Sequence, residues 1–264
     1  MSLTYVKRPF LHGATMQAME ATTATKPLNG NGAARDRRLI DGVIANLPLF
    51  RHLAPRHIAE VASHARTWTV RRGAAICERD TSLPGVIAVV HGMVKLAVAR
   101  ANGEGRVVRL VNAGETFGEA SALYGRPSLV DGGAIADSLL IVIPAAPLLR
   151  LLDHDPVFAH RMVGILAEQV QGLLGELEAS VRQRGPQRFA SYLDSLARPG
   201  GMPGAWHVSL PASKTVIASR LGFSKETLSR LLRRFADQGL IDPAHGKIVI
   251  LDRERLAQVA RESN

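Results

Sequence analysis

The segment from residue 213 to residue 241, S-K-T-V-I-A-S-R-L-G-F-S-K-E-T-L-S-R-L-L-R-R-F-A-D-Q-G-L-I, leaves this part of the chain few ways to fold. From Ser213 to Leu221 a short helical pattern carries Val216, Ile217 and Leu221 on one side, and Gly222-Phe223-Ser224 interrupts it. A second helix is predicted from about Lys225 to Gln238, with Leu228, Leu231, Leu232 and Phe235 as its buried stripe. Ser224 stands where an N-cap is wanted, and Gly222 can take the left-handed conformation that the turn needs. Two short helices joined by so tight a break predict a helix-turn-helix. The second helix of such a unit normally enters the DNA major groove with its N-terminal residues against base edges.

Charge agrees with that reading. Lys214, Arg220, Lys225, Arg230, Arg233 and Arg234 are basic, and Glu226 is the one acid between Lys214 and Arg234. A carboxylate in the first turn of a DNA-reading helix repels phosphate, so it needs a reason. One is acceptance of a hydrogen bond from cytosine N4; the duller alternative is that Glu226 only complements the helix dipole. Ser229 and Arg230 lie a turn further on, and Arg230, four residues from Glu226 on the same face, can pair with guanine. We read Glu226, Ser229 and Arg230 as base contacts. Lys225, and Lys247 in the strand pair that follows, are read as phosphate contacts.

The chain has 264 residues and a net charge of +10, unevenly spread. Residues 1–38 carry six basic and two acidic residues, 39–185 fifteen and fourteen, and 186–264 twelve and seven. A nearly neutral middle between basic ends fits a sensor domain joined to a DNA-binding domain, with double-stranded DNA as partner. One cysteine, Cys77, allows neither an internal disulfide nor a four-thiolate cluster. No apolar run reaches the length of a membrane span and no secretory signal is evident, so a cytoplasmic protein is expected.

Four regions are expected. Residues 1–38, rich in Ala, Thr, Gly and Asn, read as a disordered basic tail. Residues 39–154 hold two short helices (39 to about 47, and Pro55 to about His64), then β-rich runs from Thr67 to Ile143 with a hairpin turn at 101–105. This predicts a β-roll or barrel. Residues 155–184 form a long helix in which Val163, Leu166, Val170, Leu173 and Leu177 repeat at coiled-coil spacing, read as a homodimer seam. Arg184-Gly185-Pro186 breaks it as a hinge, with Pro186 opening the next helix. Residues 185–264 hold the helix-turn-helix and a wing around His245-Gly246, with a strand over 248–251. The fold class is therefore α+β.

This order, together with G-E-T-F-G-E at 114–119, G-F-S-K-E-T-L-S-R-L-L-R-R-F at 222–235 and the G-L-I that follows, resembles the Crp/Fnr family of bacterial transcription regulators over about residues 39–258. The resemblance implies a double-stranded β-helix of the cyclic-nucleotide-binding type, a dimerisation helix and a winged helix-turn-helix. Glu226, Ser229 and Arg230 match the E-x-x-S-R pattern of the Fnr-like branch, which implies an inverted repeat close to TTGAT-N4-ATCAA. Lys214, Ser224 and Thr227 fall at family phosphate-contacting positions. RNA polymerase is an implied partner if the protein is an activator.

The implied effector pocket includes Gly118, Glu119, Ser128 and Leu129. In the cyclic-nucleotide branch an Arg-Ser pair after the G-R-P turn holds the phosphate; here Gly125-Arg126-Pro127 is followed by Ser128-Leu129. An uncompensated buried phosphate would be costly, which argues against cyclic AMP. The missing cysteines exclude the iron–sulfur sensor. The E-T-x-S-R helix and the L-D-R-E-R-L run at 251–256 are similar to the Dnr/Nnr-like regulators of denitrification, which implies haem and nitric oxide, or low oxygen, as inputs. His64, His91, Met93 and Cys77 are the candidate axial ligands, each with a plainer reading as a turn or packing residue. Cyclic-nucleotide-responsive and effector-independent regulators are the alternatives. A ligand-binding protein with secondary DNA contacts is a competing class. An enzyme is not expected, because no nucleophile–base pair, metal cluster or phosphate loop stands out.

Overall fold

In a computed structural model the described residues are 40–99, 105–200, 205–243 and 247–261. The expectations for the basic tail, for the 101–105 turn up to residue 104 and for the tip of the wing at 244–246 lie outside them. Within these bounds the chain forms two compact units, one of residues 40–96 and 110–159, the other of residues 97–109 and 160–261.

The first unit opens with helix α1 (residues 40–46), a 3-10 turn (Pro48–Phe50) and α2 (Pro55–His64). The predicted first helix thus stops short of Pro48, whose ring cannot continue it. Eight strands follow, of which the end of β4 and the start of β5 fall in the second unit: β1 (Arg66–Val70), β2 (Ala75–Cys77), β3 (Val86–His91), β4 (Met93–Val98), β5 (Arg106–Asn112), β6 (Thr116–Phe117), β7 (Asp131–Ala134) and β8 (Ser138–Ile143). They make two four-stranded sheets, in the orders β1-β8-β3-β6 and β2-β7-β4-β5. This alternation between sheets is a jelly roll, the expected double-stranded β-helix. Register in the first sheet is set by pairs such as Trp68↔Leu140 and Ala88↔Ile141. Val86, Ile87, Ala88 and Val89 are all buried, as are Leu140 to Ile143, so this pair reads as unbroken apolar sequence rather than alternation.

Helix α3 (Glu119–Tyr124) interrupts the strands, and α4 (Ala145–His154) returns over α2, where Arg150 pairs with Glu60 at 2.8 Å. Asp155 then starts the long helix α5 (Pro156–Arg182): its carboxylate accepts from the N–H groups of Val157 and Phe158, both at 3.0 Å, and meets His57 Nδ1 at 2.9 Å. The Phe158 amide, with further help from His57, holds the Asp155 carboxyl below its ordinary value. A carboxylate depressed on folding stabilises above its unfolded pKa, about 3.9, and that contribution is lost as pH falls through the lower folded value. Asp155→Ala is expected to cost about 0.5–2 kcal/mol at neutral pH, as for other helix caps. Thermal melts of the two proteins should converge only below about pH 4.

The second unit holds the rest of α5, then α6 (Gly185–Leu196), β9 (Arg198–Pro199), β10 (Trp206–Val208), α7 (Lys214–Leu221), α8 (Lys225–Asp237), β11 (Ile241–Asp242), β12 (Ile248–Ile250) and α9 (Arg253–Arg261). The small sheet runs β11-β12-β10-β9, with β11 and β12 antiparallel as the predicted wing. The break after α5 falls at residues 183–184. Gly185, not Pro186, is the first helical residue, because Gln187 Oε1 accepts from the Arg184 N–H at 2.5 Å and begins the turn one residue earlier. Phe189 and Phe235 pack with ring centroids 5.3 Å apart at the core of this unit. Arg253 lies over the Trp206 ring at 3.6 Å and pairs with Asp194 at 3.2 Å, which fixes α9 along α6. Among the described residues no helix is long and apolar enough to cross a membrane.

Candidate nucleic-acid interface

The helix-turn-helix is built as its sequence predicts. Ser213 caps α7 by accepting from the Val216 N–H. Gly222 has φ +74°, the left-handed geometry that lets the chain turn out of α7 at once. Ser224 caps α8 by accepting from the Thr227 N–H at 3.2 Å. Leu228, Leu231, Leu232 and Phe235 are buried, so the opposite face of α8 is left to solvent. The predicted end at Gln238 moves to Asp237, with Gln238 as C-cap.

On that outer face Lys225, Glu226, Ser229, Arg230 and Arg233 line one shallow concavity of about 300 Å³. The three expected base contacts are thus brought together. Arg233 joins them; its signal was its place one turn beyond Ser229 and Arg230. Glu226 and Arg230 share the face but do not form an ion pair. Arg230 Nη2 instead donates to Thr227 Oγ1 at 3.3 Å, and Thr227 Oγ1 also accepts from Ser224 Oγ at 3.1 Å. This chain of hydroxyls steadies one edge of the guanidinium and leaves the rest directed outward. The Glu226 backbone amide lowers the Glu226 pKa and keeps the carboxylate charged and accepting. Lys214 and Lys247 are exposed at the start of α7 and just before β12. Ser224 and Thr227 are partly committed to capping and to Arg230.

This reader is tied to its surroundings by polar contacts within its own unit. Arg220 pairs with Glu176 of α5 at 2.7 Å. Arg188 donates to the Ser180 and Gln183 carbonyls and lies over the Phe223 ring at 4.9 Å. Ser219 of α7 accepts from the Val107 N–H at 3.0 Å and donates to the Gly105 carbonyl at 2.7 Å. Ser219→Ala removes both bonds, worth about 1–2 kcal/mol together. The Val107 amide is expected to exchange with solvent about tenfold faster, which hydrogen-exchange measurements at single-residue resolution would detect.

The expected effector segment is only partly a pocket. Gly118 has φ +87°, and a Cβ there would meet Leu83 Cδ1 at 2.7 Å. Glu119 is buried and its Oε1 has no hydrogen-bond partner. Leu129 does not belong to it: the side chain is 76% exposed, because the chain after Pro127 turns it outward. Ser128 is buried, but its hydroxyl is spent within its own turn, donating to the Val130 carbonyl at 2.7 Å. Arg126 is exposed. Among the described buried polar residues of the roll, Glu119 is the charged one, and no lysine or arginine is among them.

The haem candidates do not converge. His64 is exposed and bonded to Ser63 and Glu60, and His91 is exposed at the end of β3. Met93 is half-buried rather than core. Cys77 is buried and its thiol is pushed up mainly by that burial, which disfavours the thiolate a metal needs. An apolar groove of about 440 Å³ beside α1 and β3, lined by Val43, Leu47, Val89 and Val90 among others, contains none of the four. These residues do not fit an axially ligated haem.

Along α5, Val163, Val170, Leu173 and Leu177 are more than half exposed and Leu166 is half-buried. Leu174 and Val181 extend the same apolar face; their exposure, more than their spacing, brings them in.

Residues 67–155 match the cyclic nucleotide-binding domain family, and residues 187–259 match the Crp-like helix-turn-helix domain family. The chain belongs to the Crp/Fnr family. It is a DNA-binding transcription regulator of that type. Its sequence is 26% identical over 213 residues to the cyclic AMP receptor protein of Thermus thermophilus, covering 81% of this chain and 96% of that one. It is also 26% identical over 192 residues to the nitrogen fixation regulation protein FixK of Azorhizobium caulinodans, covering 71% and 76%. The solved structure of FixK2 from Bradyrhizobium japonicum shares the Crp/Fnr fold with a TM-score of 0.65, at 23% identity, over 76% of this chain and 99% of that one.

Proposed function

We propose that the protein is a dimeric regulator that reads an inverted repeat close to TTGAT-N4-ATCAA, with Glu226, Ser229 and Arg230 on the bases. Lys214, Ser224, Lys225, Thr227 and Lys247 lie along the phosphates. The observation that carries this reading is the single exposed concavity shared by Glu226, Ser229 and Arg230 on α8, with an ionised acceptor beside a guanidinium. Such a pair matches the donor of a cytosine and the acceptors of a neighbouring guanine. The apolar face of α5 supports a two-fold dimer, which sets two recognition helices against two half-sites.

Arg230→Ala tests the base assignment. It is expected to cost about 1–3 kcal/mol on the specific repeat and little on scrambled DNA. Equal losses on both, measured at one salt concentration, would move Arg230 to the phosphates.

For the effector, the Dnr/Nnr-like reading with haem and nitric oxide rests on the likeness of the helix and tail motifs alone, so an effector-independent regulator accounts for the described residues better. A cyclic nucleotide is the second reading. It is favoured by the unpartnered Glu119 oxygen and by relatives named for cyclic AMP. The absence of a buried cation beside Ser128 weighs against it. Calorimetric titration with cyclic AMP decides: no heat is expected, and one-to-one binding per chain lost in Glu119→Ala would establish the second reading. If the protein activates transcription, RNA polymerase is its further partner.

A further inference from the structure

A second cationic concavity lies in the reader, away from the base-reading face. It is a groove of about 530 Å³ where α6 begins, bounded by the C-terminal half of α8 and by α9. Arg184, Arg234 and Arg255 line it, one from each of these three places. Arg234 follows Arg233 on α8, but one residue is about 100° around a helix. The two arginines therefore serve different concavities, Arg233 the base-reading one and Arg234 this one.

The charges are poorly balanced. Among the described residues neither Arg184 nor Arg234 forms an ion pair, and the carboxylate nearest Arg255 is Asp252, at 4.0 Å. Asp252 is already committed to starting α9, where it accepts from the Arg255 N–H at 3.0 Å. The positive end of the α6 dipole adds to the same side. Three guanidinium groups around one concavity repel one another unless an anion lies between them. The apolar floor offers little, because Phe235 and Leu240 are each only 1% exposed. A ligand here is held by its charge, not by a ring. Guanidinium forks fit phosphate oxygens two at a time, and the groove's volume is in the range of small-ligand sites, about 300–1,000 Å³.

We propose that this groove is a phosphate-binding site separate from the base-reading surface, taking an anion with two or more phosphate groups. Two sources share that chemistry: a free oligophosphate, inorganic or carried by a nucleoside, and successive phosphates of the bound DNA backbone. The second source rests on the DNA-reading assignment above; the first does not.

The test uses the full chain, without DNA, titrated with inorganic triphosphate at fixed salt. Arg184→Gln with Arg255→Gln is the double variant; both side chains are exposed, so its melting temperature should stay that of the parent. Lys225→Gln with Arg233→Gln is the control on the base-reading face. The expected result is one triphosphate per chain, bound at least tenfold more weakly by the groove variant and unchanged in the control. The DNA arm measures the dependence of repeat affinity on salt. If the parent binds no triphosphate but the groove variant lowers the salt slope by about two while keeping its preference for the repeat, the backbone is the source. The kept preference shows that the base-reading assignment stands independently. Triphosphate binding weakened equally in both variants overturns the proposal, as does no triphosphate binding with an unchanged slope.

Discussion

Replacing Leu173 and Leu177 together with glutamate is expected to turn the protein into a monomer and to weaken its binding to the full inverted repeat by about a hundredfold or more, the scale lost when two linked half-sites are no longer engaged together. Leu173 is 53% and Leu177 59% exposed on a single chain, in one row with Val163 and Val170. An apolar row of this length on a charged helix is stable in water only when covered. In a two-fold seam each glutamate would face its own copy, so two substitutions place four like charges in an apolar contact. Because the side chains are exposed in the isolated chain, helicity and thermal unfolding of the roll should change little. Sedimentation and repeat binding report the two effects. A variant that stays dimeric would place the dimer contact elsewhere.

Phe235→Ala is the second large effect. The ring is 1% exposed and packs on Phe189 at 5.3 Å, joining the recognition helix to α6. Removing a buried phenylalanine ring costs about 3–5 kcal/mol, most of the stability of a small domain at the low end of the ordinary range of about 5–15 kcal/mol. DNA binding should be lost on every sequence, specific and scrambled alike. This differs from Arg230→Ala, which should lose the repeat alone. An unfolding transition at the parent temperature would contradict the packing described for Phe235.

The reader was legible in the sequence because its code is local. Ser213, Gly222 and Ser224 are within a turn of the elements they start or stop, and the α8 stripe repeats at helical spacing. The apolar row along α5 was legible for the same reason, its residues repeating at helical spacing. The roll was legible as β-structure but not in its pairing, since β1 lies beside β8, some seventy positions away. The Asp155–His57 contact joins residues 98 apart, and the arginines of the second groove come from the break before α6, from α8 and from α9, so no local pattern announces them. The effector segment was the least legible part. Motif position gathered Glu119, Ser128 and Leu129 into one pocket, whereas backbone direction after Pro127 turns Leu129 outward and closes the Ser128 hydroxyl onto Val130.

The most direct test of the account is the affinity of the purified, cofactor-free protein for TTGAT-N4-ATCAA against TGTGA-N6-TCACA at one salt concentration, with and without cyclic AMP. Each mismatched base pair costs about 1–3 kcal/mol, so a preference for the first site of at least about tenfold is predicted, without any added ligand. Equal affinity for the two, or a preference for the second that appears with cyclic AMP, would contradict the reading of Glu226, Ser229 and Arg230.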